Sequence, residues 1–161
     1  MRMPFNADEV FEMAEQIERN GAKFYRAAAE NFPDVSKVFL DLADMEDKHL
    51  KTFAEMREEL SDSESDPLVF DPYEEAQMYL QVMADGHVFD MNADLVEKLS
   101  GCDTIEDVLN MAIGIERDSI VFYVGLKESV AQRAGKDKVE AIIRQEVAHI
   151  AILKKKLDGL K

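Results

Sequence analysis

The sequence predicts an all-α protein, a four-helix bundle of two helical hairpins joined by a long, partly helical crossover. Three observations predict it. Four stretches, near residues 6–31, 33–60, 103–132 and 136–157, carry apolar side chains at helical spacing between capping or breaking residues. Within each pair of stretches the connection is short, which makes the two helices antiparallel neighbours, whereas roughly 40 residues separate the pairs. The halves also repeat one another. Ile17-Glu18-Arg19 and Phe24-Tyr25 recur as Ile115-Glu116-Arg117 and Phe122-Tyr123 at an offset of 98, and a Glu-x-x-His pair recurs at an offset of 100.

The first helix opens at Asn6, with Glu9 three residues later as in a capping box, and runs to Asn31 before Pro33 stops it. Its apolar stripe holds Phe11, Ala14, Gly21, Ala22, Tyr25 and Ala28, with one acid, Glu18, in the middle and Glu15 close to the same face. The second helix starts near Pro33, whose missing N–H is harmless in a first turn, and continues to about Leu60. The polar run Ser61–Pro67 breaks it. In the crossover, Asp71-Pro72 starts a helix with Ala76, Tyr79, Leu80 and Met83 on one side and Gly86 at its end, and a shorter piece spans Ala93 to Leu99. His87 lies in this connection without a glutamate three residues before it, and reads as a surface or packing histidine. The third long helix begins near Asp103 or Thr104 and runs to about Gln132, with Leu109, Ala112, Ile113, Ile120, Tyr123 and Leu126 on its stripe and Glu116 interrupting it. Gly135 separates it from the last helix, Lys136 to about Leu157.

At 161 residues the chain is expected to form one domain, 1–161, large enough to bury about two-thirds of its unfolded surface without a disulfide or a structural metal. Cys102 is the only cysteine, which excludes a disulfide framework and a four-cysteine metal site within the chain. No stretch approaches the roughly 20 apolar residues of a membrane span, and the N-terminus lacks a signal-peptide core, so a soluble, cytoplasmic protein is expected. The net charge of −15 argues against nucleic acid as a partner. The one basic cluster, Lys154–Lys156, falls in the last turns of the final helix, where cations complement the helix dipole.

The chemistry lies in Glu46/His49 and Glu146/His149. Residues three apart share a helix face, and both pairs sit on otherwise greasy stripes: Phe39, Leu42, Ala43, Leu50 and Phe53 flank the first, and Val139, Ile142, Ile143, Ile150 and Leu153 flank the second. Buried charge is costly unless paired or metal-bound, and each pair offers an oxygen and a nitrogen to a divalent transition metal. Folded about a pseudo-twofold axis, the two halves bring Glu18, Glu46, Glu116 and Glu146 together with both histidines. Two divalent metals would neutralise four carboxylates.

Two Glu-x-x-His pairs and two copies of a glutamate followed by a tyrosine seven residues later, in this order, resemble the rubrerythrin-type branch of the ferritin-like superfamily over nearly the whole chain. The resemblance implies a ferritin-like bundle whose crossover travels its length, with Glu46 and Glu146 as bridging carboxylates. Glu18 with His49 would complete one metal position, and Glu116 with His149 the other. It implies two iron ions as cofactor, with zinc or manganese able to take the same ligands. The implied activity is a di-iron oxidoreductase that reduces peroxide or dioxygen, assembled as a homodimer or higher homo-oligomer and supplied with electrons by a separate rubredoxin-like donor. Tyr25 and Tyr123 lie two turns beyond Glu18 and Glu116, where a phenol can either hydrogen-bond a ligand carboxylate or serve as a core aromatic. Two features depart from rubrerythrins proper. Ser119 stands where they carry a further glutamate, and Cys102 alone cannot supply a rubredoxin domain. Iron handling by ferrous oxidation, and a metal-stabilised interaction bundle using the crossover face around Tyr79 and Met83, are the alternatives that share this ligand set.

Overall fold

Six helices follow one another in a computed structural model that describes residues 5–60, 75–84, 94–130 and 135–161. They are α1 (Ala7–Asn31), α2 (Ser36–Glu58), α3 (Glu75–Ala84), α4 (Leu95–Leu99), α5 (Ile105–Ser129) and α6 (Lys136–Asp158). The predicted starts rest on real caps. Asn6 accepts from the Glu9 amide at 2.8 Å while the Glu9 carboxylate accepts from the Asn6 amide at 2.9 Å, and Thr104 and Asp107 make the same reciprocal pair at the head of α5. Pro33 begins a 3₁₀ turn, Pro33–Val35, so the α-helical part of the second stretch starts at Ser36, three residues later than expected. α5 ends at Ser129, before the expected Gln132, and Asp94 caps α4 through the amides of Val96 and Glu97. His87, Asp71-Pro72 and Gly86 lie outside the described residues.

Each hairpin packs on itself first, α1 on α2 and α5 on α6. Two apolar layers then unite the hairpins. One joins the start of α1 (Val10, Phe11, Ala14), the end of α2 (Phe53, Met56), the end of α5 (Phe122, Leu126) and the start of α6 (Val139, Ile142), with Leu80 and Met83 of α3 added. The other joins the end of α1 (Phe24, Ala28), the start of α2 (Phe39, Leu42), the start of α5 (Val108, Leu109) and Leu153 of α6, with Leu99 of α4 added. α2 therefore finishes at one end of the bundle and α5 begins at the other, so the chain between them travels the bundle's length, as its length predicts. The predicted stripe of α1 is wholly buried, whereas Ile113, Ile120, Ile143 and Ile150 are only half-buried at the edges of theirs.

Two glycines are required by position. Gly135 starts α6 at φ 100, a left-handed conformation that costs other residues their Cβ clearance. Gly125 admits the crossover helix: a Cβ there would overlap the ring of Tyr79 on α3, whose hydroxyl donates to the Val121 carbonyl. Gly125→Ala is expected to lose about 1–2 kcal/mol, since overpacking of ~1–3 kcal/mol outweighs the ~0.5–1 kcal/mol that alanine gains in a helix. In a Tyr79→Ala background the same change should become stabilising. Chemical denaturation of the two single variants and the double variant checks the reversal of sign.

Candidate metal centre

Between the two apolar layers each of the four long helices places its acid inward, and all four acids are buried: Glu18 on α1, Glu46 on α2, Glu116 on α5 and Glu146 on α6. His49 and His149 are buried with them, their rings stacked at a centroid separation of 5.6 Å and an interplanar angle of 16°. His49 Nδ1 lies 2.7 Å from Glu146 Oε1 and 3.5 Å from Glu18 Oε2, and His149 Nδ1 lies 3.3 Å from both Glu46 Oε1 and Glu116 Oε1. Each imidazole also stands 3.9 Å from the glutamate three residues before it, and so faces that acid as well as carboxylates from other helices. Two sets of four residues form, Glu18, Glu46, His49 and Glu146, and Glu46, Glu116, Glu146 and His149, each able to bring its ligand atoms within 4.8 Å of one another. Glu46 and Glu146 belong to both.

The residues fit a pair of divalent metals on grounds internal to the site. Glu18 Oε2, Glu46 Oε1, Glu116 Oε2, Glu146 Oε1 and His49 Nδ1 are buried without a hydrogen-bond partner among the described residues. Buried polar atoms are otherwise almost always satisfied, so five of them converging in one layer mark a place for cations. Four hard carboxylates and two borderline imidazoles suit iron, manganese or zinc.

Electrostatics show the cost of the cluster. Burial, reinforced by Glu46, pushes the Glu18 carboxyl well up, and burial with Glu116 and Glu46 does the same to Glu146. Burial acts on Glu116 in the same sense but is outweighed by hydrogen bonds from Glu146, His149 and Tyr25, which hold it low. The histidines diverge. Burial lowers His49 in spite of Glu46, whereas at His149 the opposing pull of Glu116 and Glu46 overcomes burial and raises it to about 9.

Tyr25 and Tyr123 are fully buried and both donate to ligand-set carboxylates, in a crossed pattern: Tyr25 to Glu116 Oε1 and Tyr123 to Glu18 Oε1. Each phenol therefore serves the acid of the opposite half, not the one two turns before it. Their burial, with nearby carboxylates, drives both phenols well above their ordinary range, so both stay protonated donors. Glu15 is buried too, yet it lies apart from the cluster and binds Arg57 Nη1 at 2.9 Å, while Arg57 also holds Asp8. The Gly21 Cα faces Glu46, and a Cβ there would stand 3.5 Å from its carboxyl group. Ser119, its counterpart in the repeat, is buried with Oγ donating to the Ile115 carbonyl at 3.0 Å. Sequence reasoning missed one neighbour of the cluster, Gln145, whose Oε1 lies 2.6 Å from His49 Nε2. A polar residue just before a ligand glutamate was the available signal.

A four-helix bundle with a long crossover and a central layer of four glutamates and two histidines defines the ferritin-like class. Residues 9–98 match the rubrerythrin family, and the chain belongs to it. The whole chain is similar to a Thermotoga maritima protein of known crystal structure, described as a candidate ferritin-like diiron-carboxylate protein, at 27% identity and a TM-score of 0.78 over 100% of each chain. Among curated proteins none matches it. No helix among the described residues is long and apolar enough to cross a membrane.

Because Glu146 belongs to both four-residue sets and Glu18 to one, their removal should differ. After anaerobic loading with ferrous iron, Glu18→Ala is expected to keep one metal of two and Glu146→Ala to keep neither. Metal analysis beside circular dichroism checks this, and equal losses in folded variants would reject the shared role of Glu146.

Proposed function

We propose that the protein is a di-iron oxidoreductase that reduces peroxide or dioxygen, drawing electrons from a separate donor protein. The observation that carries the reading is the pair of overlapping acid and histidine sets that share Glu46 and Glu146, in a chain of the rubrerythrin family. The Thermotoga maritima protein, with its diiron-carboxylate description, supports iron as the metal. Bound iron would supply the redox chemistry, passing between ferrous and ferric states as the oxidant is reduced.

The chain's residues make that chemistry possible in definable ways. Glu18 and His49 would hold one metal position and Glu116 and His149 the other, while Glu46 and Glu146 belong to both sets and would serve both. Tyr25 and Tyr123 fix the two unshared carboxylates by donating to one oxygen of each, which leaves Glu18 Oε2 and Glu116 Oε2 for a metal. Phe53 and Tyr123 on one side, and Tyr25 and Phe39 on the other, pack ring against ring and close the layer to water. Cys102, the one cysteine in this sequence, cannot by itself form a rubredoxin-type centre, and the reading therefore assigns electron supply to a separate donor.

Peroxide and dioxygen are separated by stopped-flow optical records of the anaerobic ferrous protein mixed with each. Fast oxidation by either, with iron retained through repeated cycles of donor reduction, supports the oxidoreductase. Iron that is oxidised once and then released would instead make ferrous iron the substrate. Position 119 supplies a sharper test. Serine there lies one turn from Glu116 on the same face, so Ser119→Glu adds a carboxylate able to stabilise the ferric state. The variant is expected to react with peroxide about tenfold faster, equivalent to ~1.4 kcal/mol off the barrier. Wild-type protein that already outpaces the fully loaded variant would show that the extra carboxylate is not limiting.

A further inference from the structure

The two halves of the centre match in every ligand but differ in what stands behind the histidines. His49 Nε2 points away from the carboxylates and meets Gln145 Oε1 at 2.6 Å. An amide oxygen only accepts, so His49 carries its proton on Nε2 and presents the Nδ1 lone pair to the glutamates. The repeat that sets His149 against His49, and Glu146 against Glu46, sets Met45 against Gln145. A thioether is a weak acceptor, and His149 Nε2, fully buried, has no hydrogen-bond partner among the described residues.

We propose that Gln145 is a positioning residue that makes the two metal positions unequal, with the position served by His49 the tighter and first filled. The inference rests on the dinuclear reading above. A histidine that donates its outer N–H to a carbonyl is fixed in tautomer and ring orientation and is a more basic ligand, and loss of such a partner typically costs about 10–100-fold in metal affinity. The His149 position forgoes that contribution. Gln145 is itself exposed, on the solvent side of α6, so the hydrogen bond also ties the first-filled position to the surface of the bundle.

The test is an anaerobic titration with ferrous iron of the full chain, alone and as Gln145→Met, Gln145→Glu and Met45→Gln, read by calorimetry and by Mössbauer spectra of the singly and doubly loaded forms. The wild type should fill in two separable steps and give two distinct ferrous doublets. Gln145→Met, which makes the halves alike, should weaken the first step by about 10–100-fold, merge the two steps and draw the doublets together. Gln145→Glu keeps an acceptor oxygen and should keep the tight step; Met45→Gln should tighten the second step. Two irons bound in Gln145→Met with steps and doublets unchanged from wild type would overturn the role of Gln145 while leaving the dinuclear centre intact. Wild type that binds fewer than two irons would overturn the dinuclear reading and this one with it.

Discussion

Four carboxylates buried in one layer impose the condition that the rest of the molecule satisfies. Even at an effective dielectric constant of about 20, two like charges 4 Å apart repel by about 4 kcal/mol, so the four cannot all ionise unless cations join them. The cluster's own partial answer is to favour the neutral form of Glu18 and Glu146, whose carboxyls burial and neighbouring acids push up, and to raise His149 to about 9 through Glu116 and Glu46. Divalent metals are the complete one. A layer this unfavourable stays in place only because dense apolar packing lies on both sides of it, where Phe11, Phe53 and Leu126 fill one side and Phe24, Phe39 and Leu109 the other. Stability is concentrated at the ends of the bundle and chemistry in its middle, a division expected wherever a functional site opposes folding.

Because the acids interrupt greasy stripes, most of the cluster is legible in the sequence. A charged residue at a position whose neighbours three and four away are Phe, Leu or Ile has nowhere to go but inward, and Glu18, Glu46, Glu116 and Glu146 all satisfy that test. The same periodicity gives the helices, and the local Asn6/Glu9 pattern gives the cap of the first; the equally local Thr104/Asp107 box at the head of α5 is anticipated only as a start near Asp103 or Thr104. What escaped were contacts between residues distant in sequence and unrelated in pattern. Tyr25 to Glu116 spans 91 residues and Tyr123 to Glu18 spans 105, and periodicity states only which face a tyrosine occupies, not which helix stands opposite. Gln145 was missed because it lies on the exposed side of its helix, where polar residues are ordinary. Glu15 lies close to the face that carries Glu18, and only Arg57, 42 positions away, shows why it is buried.

The crossed bonds have a consequence for assembly. Tyr25 and Glu18 are on α1, and their partners Glu116 and Tyr123 are on α5, so α1 and α5 are joined twice by reciprocal bonds about the centre. On another face His49 of α2 reaches Gln145 of α6. Each hairpin carries half of the ligands, but the groups that aim those ligands come from the other hairpin. Neither half can present a finished metal position alone, although each contributes a complete Glu and Glu-x-x-His set. Ordering of the centre is therefore coupled to docking of the two hairpins, which the apolar layers drive.

Away from the ligands the halves have diverged, and the kinds of change they show are physically constrained. The pair of buried Glu15 and half-buried Arg57 in the first half is replaced in the second by Ile113 and Leu157, both packed against the apolar layer at the opposite end of the bundle. Such an exchange is permitted because a satisfied buried ion pair and a well-packed apolar contact can be close in free energy. Gly21 against Ser119 alters the space beside a shared carboxylate, and Met45 against Gln145 alters the support behind an imidazole. None of these substitutions changes the charge inside the central layer. The six candidate ligand residues match between the halves, four carboxylates that two divalent cations would balance, whereas the surrounding positions answer to packing and hydrogen bonding. Any functional difference between the two four-residue sets would then arise in these surrounding positions, with matched acids and histidines inside them.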